Sequence, residues 1–107
     1  MENQPTLISK AFQVFMTDAP QHAQAWGKVV QELSQASALD AKTRGLAYLA
    51  VMAALRLESG IPFHVHTLKD MGVSRDEVIS AILVGLPAAG HVVTQALPAA
   101  LAVYDHD

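Results

Sequence analysis

Leu46-Ala47-Tyr48-Leu49-Ala50-Val51-Met52-Ala53-Ala54-Leu55 is the longest apolar run in the chain, and Arg44 and Arg56 bracket it. The run is about half of what a bilayer span needs, so it reads as a buried helix. Its circumference is apolar all round, which marks a central element rather than a surface one. Upstream, Asp40 is placed to cap this helix, which is expected to continue to about Glu58. Downstream, Ser59 and Gly60 break the chain, and Pro62 opens a helix that reaches Met71 and stops at Gly72. Ser74 followed by Glu77 is a capping box for the next helix, through Val78, Ile79, Ile82, Leu83 and Leu86, which Pro87 and Gly90 should kink or end. A last helix is expected from about His91 to Val103, bending at Pro98.

Ahead of the central helix, Leu7, Ala11, Val14 and Phe15 recur at helical spacing and predict a short helix from Thr6 to about Thr17. Asp18 or Ala19 then caps a helix with Pro20 in its first turn, running through Trp26, Val29, Val30 and Leu33 to a polar loop near residues 34–37. No segment alternates apolar and polar residues, so strands are not expected. The expected fold is all-α, a bundle of about six helices forming a single domain over residues 1–107.

The composition narrows function by subtraction. Hydrophobic residues make up 51% of the 107 residues and charged residues 16%, a surplus of apolar side chains that one small domain cannot bury by itself. Oligomer formation is the natural outlet. The net charge is −3 and the seven basic residues are scattered, which argues against nucleic acid and against an anionic membrane surface as partners. There is no cysteine, so disulfides, thiolate metal sites and sulfur nucleophiles are all excluded. The N-terminal MENQPTLISK lacks the basic-then-apolar order of a secretory signal, and a cytoplasmic location is expected.

Functional side chains are densest in Arg56-Leu57-Glu58-Ser59-Gly60-Ile61-Pro62-Phe63-His64-Val65-His66, which spans a helix end, a turn and a helix start. On a helix beginning at Pro62, His64 shares its stripe with Leu68 and Met71 and turns inward, while His66 lies with Lys69 and Asp70 and turns outward. An inward imidazole needs a partner. Glu58, across the turn, is the nearest candidate carboxylate, and a carboxylate-held histidine is an orientable acid or base. The structural alternative is a core histidine satisfied by a backbone carbonyl. Arg44 and Arg56 could bind a substrate carboxylate or simply run along the helix to solvent. His91, after Gly90 at an expected helix N-terminus, suits a neutral hydrogen-bonding role or a cap. His22 and His106 read as structural or incidental. A metal site from Glu58 with His64, His66 or His91 would need three convergent ligands, and no histidine pair has the i, i+4 spacing that would signal one.

The passage from Leu39-Asp40-Ala41-Lys42-Thr43-Arg44-Gly45-Leu46, through Ile61-Pro62-Phe63-His64-Val65 and Leu68-Lys69-Asp70-Met71-Gly72-Val73-Ser74-Arg75-Asp76-Glu77-Val78, to Val84-Gly85-Leu86-Pro87-Ala88-Ala89-Gly90, resembles the carboxymuconolactone decarboxylase family, which includes the alkylhydroperoxidase D-like proteins. The resemblance covers roughly residues 39–105 and implies small helical subunits assembled as homotrimers or hexamers. In the peroxidase branch a glutamate, two cysteines and a histidine carry the chemistry. Those positions fall here on Gly45, Leu57, Gly60 and His64, so only the histidine remains. Thiolate attack on a hydroperoxide is therefore excluded. The decarboxylase branch, also without the cysteine pair, implies a glutamate and then a histidine at the same turn acting on a small carboxylate-bearing lactone. Its glutamate position falls on Gly60, two residues after Glu58.

Three readings follow. The first is cofactor-free acid–base chemistry, of decarboxylase or lyase type, on a small organic acid or lactone. In it His64 and Glu58 are the catalytic pair, and Arg44, Arg56 and His91 are substrate ligands. The second is a non-catalytic ligand-binding or oligomeric interaction module with a dismantled site. The third is a metal enzyme built on Glu58 and the histidines.

Overall fold

In the computed structural model, which describes residues 7–106, every regular element among the described residues is helical. The chain forms two compact units that meet in sequence between Asp40 and Ala41.

The first unit is a helical pair, α1 (Lys10–Asp18) and α2 (Pro20–Ala36). Ser9 is extended and its hydroxyl accepts the Phe12 N–H at 3.1 Å, so the cap starts α1 at Lys10, later than periodicity suggested. The expected start at Thr6 lies outside the described residues. Ala19, not Asp18, stands at the junction. Its N–H donates to the Phe15 carbonyl and its own carbonyl accepts from Ala23, while Pro20 occupies the first turn of α2, where no N–H is needed. The rings of Phe12 and Phe15 meet at a tilt, 5.8 Å between centroids and 53° between planes. No residue of either helix is buried, and Trp26 and Leu33 are 51% and 65% exposed.

The second unit holds the core. Helix α3 (Ala41–Leu55) packs against α4 (Ile61–Asp70), α5 (Arg75–Leu83) and a 3-10 segment, Gly90–Ala96. Leu49, Met52 and Ala53 of α3 are buried with Ile61, Val65 and Leu68 of α4, Val78 and Ile82 of α5, and Val93. The expected continuation of α3 to Glu58 is corrected. The helix stops at Leu55 because Arg56 takes a left-handed backbone, φ 60°, and a short 3-10 turn, Glu58–Gly60, follows. The Arg56 N–H donates to the Ala53 carbonyl and the Leu57 N–H to that of Met52, the paired bonds that close a helix through a left-handed residue. The end of α4 repeats this pattern with glycine. Gly72, φ 87°, donates to the Lys69 carbonyl, and Val73 to that of Leu68.

The capping box forms as read: the Glu77 N–H donates to the Ser74 hydroxyl at 3.1 Å and the Ser74 N–H to the Glu77 carboxylate at 2.9 Å. Beyond it the sequence reading needs correction. Helix α5 ends at Leu83, and α6 (Leu86–Ala89) is a single turn stopped by Gly90. The expected helix from His91 is instead the 3-10 segment followed by α7 (Leu97–Tyr104). Pro98 therefore sits in the first turn of α7 and opens a helix rather than bending one. Among the described residues there are seven α segments, one of them the single turn α6, and two 3-10 segments, in keeping with the all-α bundle of about six helices expected. Arg75–Tyr104 is long and apolar enough to cross a membrane by length and composition alone, with mean hydropathy 1.6. In the fold it doubles back, because α5 packs on both the 3-10 segment and α7, and Val78, Ile82, Val93, Ala96 and Ala100 are core residues.

Residues 104–106 are tied to the end of α4 and the start of α5. Lys69 Nζ donates to the carbonyls of Tyr104 (2.6 Å) and His106 (3.2 Å), the Tyr104 hydroxyl donates to the Val73 carbonyl (2.7 Å), and Arg75 pairs with Asp105 through two bonds of 2.9 and 3.0 Å.

Candidate functional site

His64 lies in the first turn of α4, which Pro62 sets. The next two members of its stripe, Leu68 and Met71, face α3 at Gly45. The imidazole is half-buried and stands against two rings. Tyr48 of α3 lies at 5.0 Å between centroids with a 63° interplanar angle, and Phe63 at 5.5 Å and 84°. Both are edge-type contacts. Burial pushes His64 below its ordinary pKa of 6.5, so the ring is neutral at neutral pH, with one nitrogen a donor and the other an acceptor. Among the described residues no hydrogen bond occupies either nitrogen, and no buried side-chain nitrogen lacks a partner, so the ring nitrogens reach solvent. The core histidine satisfied by a backbone carbonyl is thus not what forms.

The carboxylate expected to hold His64 does not. Glu58 is exposed in the 3-10 turn, and among the described residues no hydrogen bond or ion pair joins it to His64. The cause lies upstream: the left-handed Arg56 ends α3 three residues early and redirects the chain. Arg56 itself is exposed, while Arg44 is half-buried on α3, one helical turn before Tyr48. His91 is exposed in the 3-10 segment, where its carbonyl accepts the Thr94 hydroxyl at 2.8 Å. No α-helix starts there, and the dipole argument for it lapses. His66 points outward as read, half-exposed, 3.4 Å from Asp70. Among the described residues no group of three or more histidine and carboxylate side chains is placed to hold a metal.

Two features escaped the sequence reading. One is Tyr48, the single aromatic residue in the apolar run, which lies one turn from Gly45 and meets the imidazole. The other is a shallow apolar groove of about 600 Å³ between α3 and α5, floored by Leu46, Ala47, Ala50, Ala81 and Val84 and edged by Thr43, Asp76, Glu77 and Ser80. Its signal was the i, i+3, i+4 and i+7 spacing of Thr43, Leu46, Ala47 and Ala50 on α3 and of Glu77, Ser80, Ala81 and Val84 along and just past α5. His64 is not part of it.

The positions that carry chemistry in the family's peroxidase branch are filled in instructive ways. A Cβ at Gly45 would lie 2.6 Å from Leu68 Cδ2, so the space of a glutamate side chain belongs here to the α3–α4 packing. At Gly60 a Cβ would meet only Met52 Sδ, at 3.5 Å, an ordinary contact. Leu57 is half-exposed.

A solved carboxymuconolactone decarboxylase family protein from Legionella pneumophila, in its apo form, has a similar fold, with a TM-score of 0.75 and 22% identity over 89% of this chain and 85% of that one. No curated protein matches the chain. The family model for carboxymuconolactone decarboxylases matches residues 20–102, from the start of α2 into α7, and on that match the chain belongs to the carboxymuconolactone decarboxylase family.

Proposed function

We propose that this chain carries out cofactor-free acid–base chemistry, of decarboxylase or lyase type, on a small carboxylate-bearing acid or lactone, with His64 as the proton-transferring group. The observation that carries the reading is the His64 imidazole itself: half-buried, neutral, with neither nitrogen tied up, at the mouth of an aromatic corner. Loss of a carboxyl group as CO₂ leaves an electron pair on carbon, which must be protonated. The imidazolium formed when His64 takes a proton from solvent can deliver it to that carbon and return to the neutral ring, while a cation holds the substrate's carboxylate. Arg44, one turn before Tyr48 on α3, is our choice for that cation. Glu58 has no part in orienting the imidazole in this scheme.

The functional unit in this proposal is a cytoplasmic homo-oligomer, a trimer or hexamer. Helices α1 and α2 bury no residue, and their apolar side chains, Trp26 and Leu33 among them, need a cover that further copies would supply.

Thermal denaturation in a panel of small carboxylates and lactones, on wild type beside His64→Ala, tests the reading. A ligand at about a hundredfold its Kd stabilises by about 2.7 kcal/mol. We expect such stabilisation in wild type and its loss in the variant. Flat curves for both proteins would refute a site at His64. A non-catalytic module is the second reading, favoured by Leu68 filling the space over Gly45. Ligand stabilisation that survives His64→Ala would select it.

A further inference from the structure

We infer that Tyr48 is the positioning residue of the His64 site, its ring fixing the plane of the imidazole and shielding one side of it from water. The inference rests on the acid–base reading of His64 and adds a residue to it. Three observations support it. Tyr48 is the residue of α3 in ring contact with the imidazole, 5.0 Å between centroids and edge-on, whereas Phe63 comes from the imidazole's own helix. The position one turn earlier, Gly45, offers no side chain, and Leu68 occupies the space that a Cβ would take there. Finally, the depression of the His64 pKa has burial as its cause and no charged neighbour, although several ionisable groups stand on the elements around it. These are Arg44 on α3, Glu58 on the 3-10 turn, His66, Lys69 and Asp70 on α4, and Tyr104 on α7. The last of these is engaged with Lys69, whose ammonium lies 5.0 Å from the ring centroid. An imidazole oriented by ring packing rather than by a carboxylate stays neutral, and this suits a group that must take up a proton and release it again.

The test is an NMR titration of the histidine side chains in the full chain. In wild type His64 should titrate below its ordinary 6.5. Tyr48→Phe keeps the ring and should keep both that titration and the ring-current shift of the His64 Hε1 proton. Tyr48→Ala removes the ring and should move the His64 pKa up toward 6.5 and abolish the shift. Tyr48 is half-exposed, so the fold should tolerate the change; Tyr48→Gln, a better-solvated helix former, gives the same readout if alanine perturbs α3. An unmoved His64 titration in both truncated variants overturns the inference, as does loss of the shift in Tyr48→Phe. The titration needs no ligand, so a failed carboxylate screen on wild type sinks the acid–base reading and leaves the role of Tyr48 to be decided by the spectra.

Discussion

The ends of α3 and α4 are closed by the same pair of backbone hydrogen bonds around a left-handed residue, yet they are surrounded very differently. At the end of α4 the left-handed residue is Gly72, and the two side chains that flank the turn, Leu68 and Val73, are each 1% exposed. Three further interactions, from Lys69, Tyr104 and Arg75, bind Tyr104 and Asp105 over it. At the end of α3 the left-handed residue is Arg56. The flanking pair is a buried Met52 and a half-exposed Leu57, and among the described residues no ion pair involves Arg56 or Glu58. A non-glycine residue costs about 1–2 kcal/mol in this conformation. The same backbone device thus serves one turn that is sealed and relaxed and another that is open and strained, and the open one leads into the helix carrying His64.

The contrast breaks most visibly at the flanking side chains. Leu68→Ala should cost about 2–5 kcal/mol, since it empties fully buried space and loosens both the sealed turn and the contact over Gly45. Leu57→Ala, at the matching edge of the open turn, should cost less than about 1 kcal/mol. Urea denaturation of the two variants measures both. Equal losses would mean that the open turn is as much a part of the core as the sealed one.

The left-handed residues themselves sharpen the comparison. Gly72→Ala should destabilise by about 1–2 kcal/mol, because a Cβ is disfavoured at φ 87° whatever space surrounds it. Arg56→Gly should do the reverse and stabilise by up to about 1 kcal/mol, the relief of the left-handed backbone being partly offset by the greater freedom of glycine in the unfolded chain. Arg56→Ala keeps the Cβ and should give no such gain, so a stabilised alanine variant would show that the side chain and not the backbone was the burden.

These turns also mark where the sequence could be read and where it could not. Gly72 announced the end of α4, and Ser74 with Glu77 announced α5, because each signal is local: a residue type with a conformational preference at the place that needs it. The apolar run was legible as a central helix for the same reason. Arg56 carried no such mark. Nothing in its chemistry favours a left-handed backbone, so the sequence reading ran α3 on to Glu58 and placed that carboxylate beside His64. Pro98 was read as a bend because a proline inside an apolar stretch has two outcomes, a kink or a fresh start, and only the 3-10 geometry after Gly90 decides between them. His64 could be singled out by spacing, but its neighbour Tyr48 could not, since which residue of α3 meets α4 depends on how closely Leu68 approaches Gly45.

The smallest expected effect separates the two turns by pH. His64 holds its proton less firmly in the folded chain than in the unfolded one, so acidification from about pH 6.5 favours unfolding until the folded imidazole is itself protonated, after which its contribution levels off. The sealed turn responds lower down. The Ser74 N–H and then Lys42 hold Glu77 below its ordinary 4.5, and Arg75 holds Asp105 below its ordinary 3.8. The stability these carboxylates contribute is complete above those ordinary values and disappears as pH falls through their lowered folded values. All of these pairs are exposed, so the lower step should be small and should shrink further in high salt. Urea midpoints followed from pH 7.5 to 3 should therefore fall in two stages, the upper one removed by His64→Gln and the lower one reduced by Asp105→Asn. If Asp105→Asn flattened the upper stage instead, the charge that matters near neutrality would belong to the sealed turn, and the assignment of the upper stage to the open turn's histidine would be wrong.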